Sequence, residues 1–529
     1  MRNVCILCLL LVALIFLAAC GRSNQPEAEP IIPMVEETPQ PVQLPPPPPE
    51  PPQPEPIAKA FPQTLQDVLE IANQRRHELV RTTRDNLLRL TYGREPQTID
   101  ISRFRDNELA EYVSSEDAIA DTEELFELMR QFYGAYIYFG GDDVFFPLLE
   151  QIIANLETRE TWRPEQFGSL LRRYLSTVIS DNHFWIHNHQ LSVSYNFLRP
   201  ATRCEKAVFE RSEAGLRNRA TGLYVTDVIV NDSSVNIEEV FRLSLSPGGD
   251  LYYSVVMLHP MGRTPESVAI VYESGEYDII PLNRLISMQR TPRPTSLTHR
   301  YDIPIVTIMQ MGFPDTEYGH DWAGARRFLA YAEELRDEPV IIVDVRSNGG
   351  GNGTLAPRWL HILTGQLVPV NYYGLRVWNY DNFRYRWQGQ DAPPGPWSIC
   401  MDISATYAPS ERFGDNHILM HTMPAEIIEN DQLIILLTDR FSASAADDFA
   451  DRMLNLKNTL IIGQNTAGVL HTDMFFPNLS LPRSGLALSL GITIHIHPQG
   501  HLPEGIGIAP DLWVNGDALA AALALLTAN

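Results

Sequence analysis

From about residue 60 to 192 the apolar positions recur at helical spacing. Leu65, Val68, Leu69 and Ala72 follow Thr64, which can cap the first turn, and similar stretches lie near 120–134, 144–156 and 165–179. This pattern predicts an N-terminal helical bundle, a domain spanning 59–192. Beyond it the period shortens to two. Residues 223–230, 251–258 and 267–272 read as strands, and the last leads through Ser274-Gly275 into 277–281 as a hairpin. A β-rich middle domain is expected over 193–298. From 299 to 529 strand and helix alternate, with near-continuous apolar strands at 339–345, 433–437 and 460–463 and amphipathic helices at 320–336 and 445–454. Uniformly apolar strands interleaved with helices indicate a sheet covered on both faces, so the fold class is α/β with several domains. Residues 368–428 interrupt this core as an aromatic-rich insert.

The first 58 residues follow neither period. Arg2 precedes an apolar run over 6–17 that ends in Leu17-Ala18-Ala19-Cys20, which predicts a secretory signal over 1–19. The L-A-A-C ending resembles the lipobox of bacterial lipoproteins. That resemblance implies Cys20 as a lipidated first residue and a cell-envelope location, either on the outer membrane facing the periplasm or on the outer face of the cytoplasmic membrane. Residues 26–56 hold 14 Pro, six Glu and neither Lys nor Arg, the composition of an extended, self-repelling tether. Removal of the signal leaves Cys204 and Cys400 as the other thiols, and an envelope location permits a bridge between them.

Charge narrows the function. With 41 Lys and Arg against 65 Asp and Glu, the chain carries a formal −24, which disfavours a nucleic-acid partner. Two strand-to-helix turns carry candidate chemistry. In VIIVDVRSNGGGNG, Gly349, Gly350, Gly351 and Gly353 let backbone N–H groups converge on one point, as an oxyanion or a phosphate requires. A phosphate loop would need G-K-[ST], which is absent. In LIILLTDRFSASAADDF, Ser442 and Ser444 sit just ahead of a helix, where the positive dipole end stabilises a developing alkoxide. The commoner fate of such a Ser is a helix cap. The first-turn acids Asp447 and Asp448 are explained by that dipole.

The strings VDVRSNGGGN and TDRFSASAADDFA, with IIGQNTAG and LPEGIGIAPDLWV after them, resemble the motifs of the tail-specific (C-terminal processing) serine protease family over roughly 300–515. The resemblance implies a crotonase/ClpP-like core, Ser444 as nucleophile, and an oxyanion hole from the Ala445 N–H with Gly350 or Gly351. Many members take their base from a Lys in T-x-G-K; here the string is Thr466-Ala467-Gly468-Val469. The branch similar to the tricorn core and the retinoid-binding repeats uses a His from the helical region and a C-terminal Glu, which implies His183 in SDNHF as base and Glu504 in LPEGIGIAPD as its orienter. Asn182 stands where that branch has Ser.

Rival expectations stand beside these. His183, His187 and His189 could form a metal cluster, although no metal or other cofactor is expected for this chemistry. His471, His495, His497 and His501 are alternative bases. The middle domain occupies the place of a PDZ domain in many relatives, and the aromatics at 372–397 could line a peptide groove. The expected function is a lipid-anchored envelope serine peptidase acting on a peptide or protein substrate, tied to the membrane through Cys20. The alternatives are a peptide-binding lipoprotein that has lost catalysis, which the absent Lys motivates, and an esterase or amidase.

Overall fold

A computed structural model describes residues 64–77, 99–187, 189–190, 199–203, 208–259, 265–284, 294–312, 322–377, 417–421, 427–474, 479–496 and 504–528. Cys20, the Pro-rich tether, Cys204, Cys400, His497, His501 and most of the aromatic insert lie outside the described residues. No helix among the described residues is long and apolar enough to cross a membrane.

Helix α1 (Leu65–His77) is followed by α2 (Ser115–Phe132), α3 (Asp142–Leu156) and α4 (Pro164–Leu175), close to the periods expected. Ser114 caps α2 by accepting the Asp117 N–H, and acidic residues fill the first turns of α2 and α3, opposing the helix dipole. Phe126, Phe132, Phe145, Phe167 and Leu171 share one core. That core is closed by Leu479, Leu481, Leu486, Leu488 and Ile492, more than 300 positions downstream. Strand β1 (Trp185–Ile186) continues the closure by pairing antiparallel with 488–489, Ile186 opposite Leu488. The helical region is therefore stitched to the C-terminal region immediately after His183.

Helix α1 departs from the bundle that its periodicity suggested. Val68, Leu69 and Ala72 pack instead with Leu460 and Ile462 of the core sheet, and Asn73 Oδ1 accepts the Asn458 N–H at 3.2 Å. An apolar stripe shows that a face must be covered; it does not name the cover. The middle strands also divide. Val225–Val230, Ser267–Tyr272 and Tyr277–Pro281 form their own antiparallel sheet. By contrast, β2 (Phe241–Leu245) and β3 (Leu251–His259) join the core sheet where Ser244 lies beside Trp513.

In the core, β4 (Ile303–Thr307), β5 (Val340–Asp344), β6 (Leu433–Thr438), β7 (Thr459–Gly463) and β8 (Leu512–Trp513) lie side by side in that numerical order, all parallel where they pair. Side chains alternate between two faces, as a strand's period of two demands. Ile434 and Leu436 face α5 (Trp322–Glu334), α6 (Leu355–Thr364) and α7 (Ala445–Met453), where Phe328, Trp359 and Phe449 stack. Ile435 and Leu437 face α1 and α8 (Ala518–Thr527). Burial on both sides explains why these strands read as unbroken apolar runs.

The stitch at β1 has a measurable cost. Ile186 is fully buried, so Ile186→Ala is expected to destabilise the protein by about 2–5 kcal/mol. Chemical denaturation followed by tryptophan fluorescence reads this directly; a change below about 1 kcal/mol contradicts the shared core.

Candidate active site

The nucleophile candidate is placed by buried strand β6. After Thr438 the chain turns through 439–444 and enters α7. Asp439 braces the turn: its Oδ1 accepts the Ser347 N–H (2.8 Å) and the Phe441 N–H (2.9 Å). The two serines of the motif then part company. Ser442 is fully buried, and its hydroxyl donates to the Val345 carbonyl at 2.9 Å while accepting the Asp439 N–H at 3.1 Å. It is a bracket between β5 and β6. Ser444 stands at the N-cap of α7 with φ 54° and ψ −111°. A non-glycine residue with positive φ is strained, and such strain persists only where surrounding bonds impose it.

The glycine turn packs directly on this residue. A Cβ at Gly350, whose φ is +93°, would lie 2.6 Å from the Ala443 carbonyl oxygen and 2.7 Å from Ser444 Cβ. Only glycine allows that approach. Asn348 anchors the turn: its Nδ2 donates to the Ile308 carbonyl at 3.0 Å, and its Oδ1 accepts the Gly350 N–H at 2.9 Å. The Gly350 N–H is thus already committed. Among the described residues no acceptor is seen for the Ala445 or Gly351 N–H.

His183 arrives from the other end of the chain. Its Nε2 lies 3.1 Å from Ser444 Oγ across a sequence separation of 261 residues, and only 6% of the residue is exposed. For Nε2 to accept the hydroxyl proton, the ring proton must reside on Nδ1, a tautomer inferred from the geometry. The backbone holding the ring is pinned by two carboxylates. The His183 N–H donates to Asp181 Oδ1 at 2.9 Å, and Asp181 Oδ2 accepts from the Tyr133 hydroxyl (2.7 Å) and Thr472 Oγ1 (3.0 Å). The Asn182 N–H and Nδ2 donate to Glu504 Oε1 at 2.9 and 2.8 Å. Glu504 Oε2 accepts the N–H groups of Leu470 and His471, each at 2.6 Å. Burial, and then the Asp181 charge, push the Glu504 pKa well above the usual carboxylate range, while these N–H bonds pull against that shift.

The remaining candidates are engaged elsewhere. His471 is buried against the edges of the Tyr138 and Phe139 rings, and burial lowers its pKa to about 4. His495 stacks on Tyr372 at 4.3 Å, and its Nδ1 lies 2.9 Å from the Leu470 carbonyl. Val469, where the resemblance expects Lys, is almost fully buried and clusters with Ala443 and Ala467. No group of three or more His, Cys, Asp or Glu side chains suited to a metal ion occurs among the described residues. Two participants escape sequence reasoning: Asp181 is not singled out, and Asp447 passes as a dipole partner; Asn182, expected beside the base as a group that orients it, bonds Glu504. The D-N-H string and the S-x-x-D capping-box spacing were the available signals.

Residues 302–514 match the family model described as Peptidase family S41. Over this segment, about two fifths of the chain, the protein is similar to S41 peptidases. Among solved structures the chain is similar to mature CPAF, with 14% identity over 78% of this chain and 94% of that one and a TM-score of 0.39. It is also similar to the photosystem II D1 C-terminal processing protease, with 12% identity over 76% and 96% and a TM-score of 0.34. The tricorn protease shares 13% identity over 78% of this chain and 37% of its own, with a TM-score of 0.31.

Because Gly350 is pressed against the Cβ of Ser444, Gly350→Ala is expected to displace that candidate nucleophile and lower peptidase activity by about 10²-fold, as a misplacement of about 1 Å does. Activity assays beside a thermal melt check this; a folded variant with near-native activity contradicts the packing described.

Proposed function

We propose that this protein is a lipid-anchored serine peptidase of the cell envelope, cleaving peptide bonds through an acyl-enzyme with Ser444, His183 and Glu504. The approach of His183 Nε2 to 3.1 Å from Ser444 Oγ, at a helix N-terminus beside a glycine turn, carries this reading. Ser444 Oγ attacks the scissile carbonyl carbon as its proton passes to His183 Nε2. The carbonyl oxygen becomes an oxyanion held by the Ala445 N–H and the Gly351 N–H, with the positive end of α7 behind them. His183 returns the proton to the leaving amine, which departs with the new C-terminal half's free amino group. A water, deprotonated by the same imidazole, then releases the acid and restores Ser444.

Glu504 acts through its neighbour. By binding both the backbone and the side-chain amide of Asn182 it fixes the turn that aims His183. Asn182 thereby takes the place that the tricorn-like pattern gives to Ser. The base is supplied without Lys: Val469 has no proton to exchange, and its side chain leaves a small apolar surface with Ala443 and Ala467 beside the nucleophile.

Membrane attachment completes the reading. Lipidation of Cys20 and a tether over 26–56 with 14 Pro hold the folded part away from the bilayer. Either envelope face named above accommodates it.

Two outcomes are expected. A fluorophosphonate probe labels Ser444 in the full chain, Ser444→Ala abolishes labelling, and His183→Ala slows peptide turnover by about 10⁴-fold or more; a folded wild-type protein that resists the probe contradicts the enzyme reading and leaves a binding protein. Separately, an alkynyl fatty acid fed to expressing bacteria becomes attached to the chain, and Cys20→Ala removes it; label persisting in that variant overturns the anchor.

A further inference from the structure

Asp447 is a heavily engaged carboxylate beside the nucleophile, and nothing in the acyl-transfer steps uses it. It is fully buried in the first turn of α7. A buried first-turn acid needs more than the helix dipole to offset the loss of water, because that attraction is worth only about 0.3–1 kcal/mol at an exposed site. The compensation comes from backbone N–H groups. Oδ2 accepts from Ser444 at 2.6 Å and from Val469 at 3.0 Å, and Oδ1 accepts from Gly468 at 2.9 Å. The Thr466 hydroxyl adds a further bond. One carboxylate therefore spans the two segments flanking the acyl-transfer site, and one of its bonds is to the strained residue itself.

We propose that Asp447 is a positioning residue for the nucleophile: its ionised carboxylate holds the Ser444 backbone in the left-handed turn and ties it to the 466–469 loop, and acyl transfer requires that charged form. The proposal rests on the reading of Ser444 as nucleophile. A neutral acid at this place keeps one oxygen as a hydroxyl, which must itself donate and so displaces one of the N–H groups. With the Ser444 N–H released, one of the bonds that hold φ at 54° is lost, and the aim of Oγ at His183 loosens.

The surroundings make the protonation accessible. Burial raises the Asp447 pKa to about 6, against the lowering effect of its hydrogen bonds. The charged or titratable groups about it are Asp448, Asp451 and Arg452 on its own helix, Tyr372 at Asp448, His183 across Ser444, and His471 and Glu504 beyond the 466–471 loop. The sign follows from linkage. A carboxyl whose folded pKa lies above its unfolded value of 3.8 takes up its proton more readily in the folded protein. Acidification from pH 6 towards 4 therefore adds stability through this group while it removes the bond to the nucleophile. Activity and stability move in opposite directions, and the steepness of the activity loss, compared with a variant lacking the carboxyl, separates a positioning role from a merely structural one.

The test uses the full chain, the fluorophosphonate probe and a peptide substrate, with Asp447→Asn and Asp447→Glu beside wild type. At pH 8, Asp447→Asn is expected to lower the labelling rate and kcat by about 100-fold with KM changed less than about threefold, and Asp447→Glu to recover to within about tenfold of wild type. Below pH 6 the wild-type logarithmic labelling rate should fall more steeply than that of Asp447→Asn, by up to about one unit of slope. Asp447→Asn labelling at the wild-type rate, or the same slope in Asp447→Asn and wild type, overturns the proposal while leaving Ser444 as nucleophile. Wild type unlabelled at every pH overturns the nucleophile reading instead. Should Asp447→Asn fail to fold, Asp447→Ser takes its place in both comparisons.

Discussion

A single hydrogen-bond distance of 3.1 Å joins His183 to Ser444 across 261 residues of chain, and the architecture exists to hold it. Neither residue can find the other locally. His183 follows the helical region, Ser444 opens a helix of the core, and the two meet because leucines from 479–490 complete the core of the helical region. The pairing of Ile186 with Leu488 fixes the register at which that closure occurs. A slip there of one residue would turn the strand's side chains to the other face and carry the imidazole with it.

Around that contact, buried carboxylates spend their bonds on backbone N–H groups rather than on cations. Asp181, Glu504 and Asp447 accept from His183, from Asn182, Leu470 and His471, and from Ser444, Gly468 and Val469, respectively. Bonds of this kind fix main-chain geometry, and main-chain geometry aims the His183 imidazole and the Ser444 hydroxyl at each other. Asp439 does the same between the two strand-to-helix turns, where it takes the Ser347 and Phe441 N–H groups. The site is preorganised by many such anchors, so its precision lies outside the residues that would touch a substrate.

Much of this was legible. Strands β5 to β7 declared themselves as doubly buried runs, and Ser444 and the glycine turn followed because strand, turn and helix are contiguous in sequence. Gly350 was one of two candidates for the oxyanion hole; its N–H proves to serve Asn348, a local bond that no motif displays. His183 and Glu504 came from resemblance, since no periodicity links positions so far apart. What stayed hidden was the partner of each surface. Helix α1 carried a correct apolar stripe yet covers the core sheet, and β3, read as part of a separate middle domain, extends that sheet through β2, a strand the sequence reading did not include. Asp447 looked ordinary because helix N-termini attract acids everywhere; its burial and the distant N–H groups of Gly468 and Val469 are tertiary facts.

The central claim is that one hydroxyl and one imidazole from opposite ends of the chain form a working pair. A crystal structure of the protein treated with a peptidyl phosphonate tests it most directly. Phosphorus bonded to Ser444 Oγ, a phosphoryl oxygen facing the Ala445 N–H, and His183 Nε2 within hydrogen-bonding distance of the adduct are expected. Density at another side chain, or an imidazole turned away from an adduct on Ser444, would contradict it.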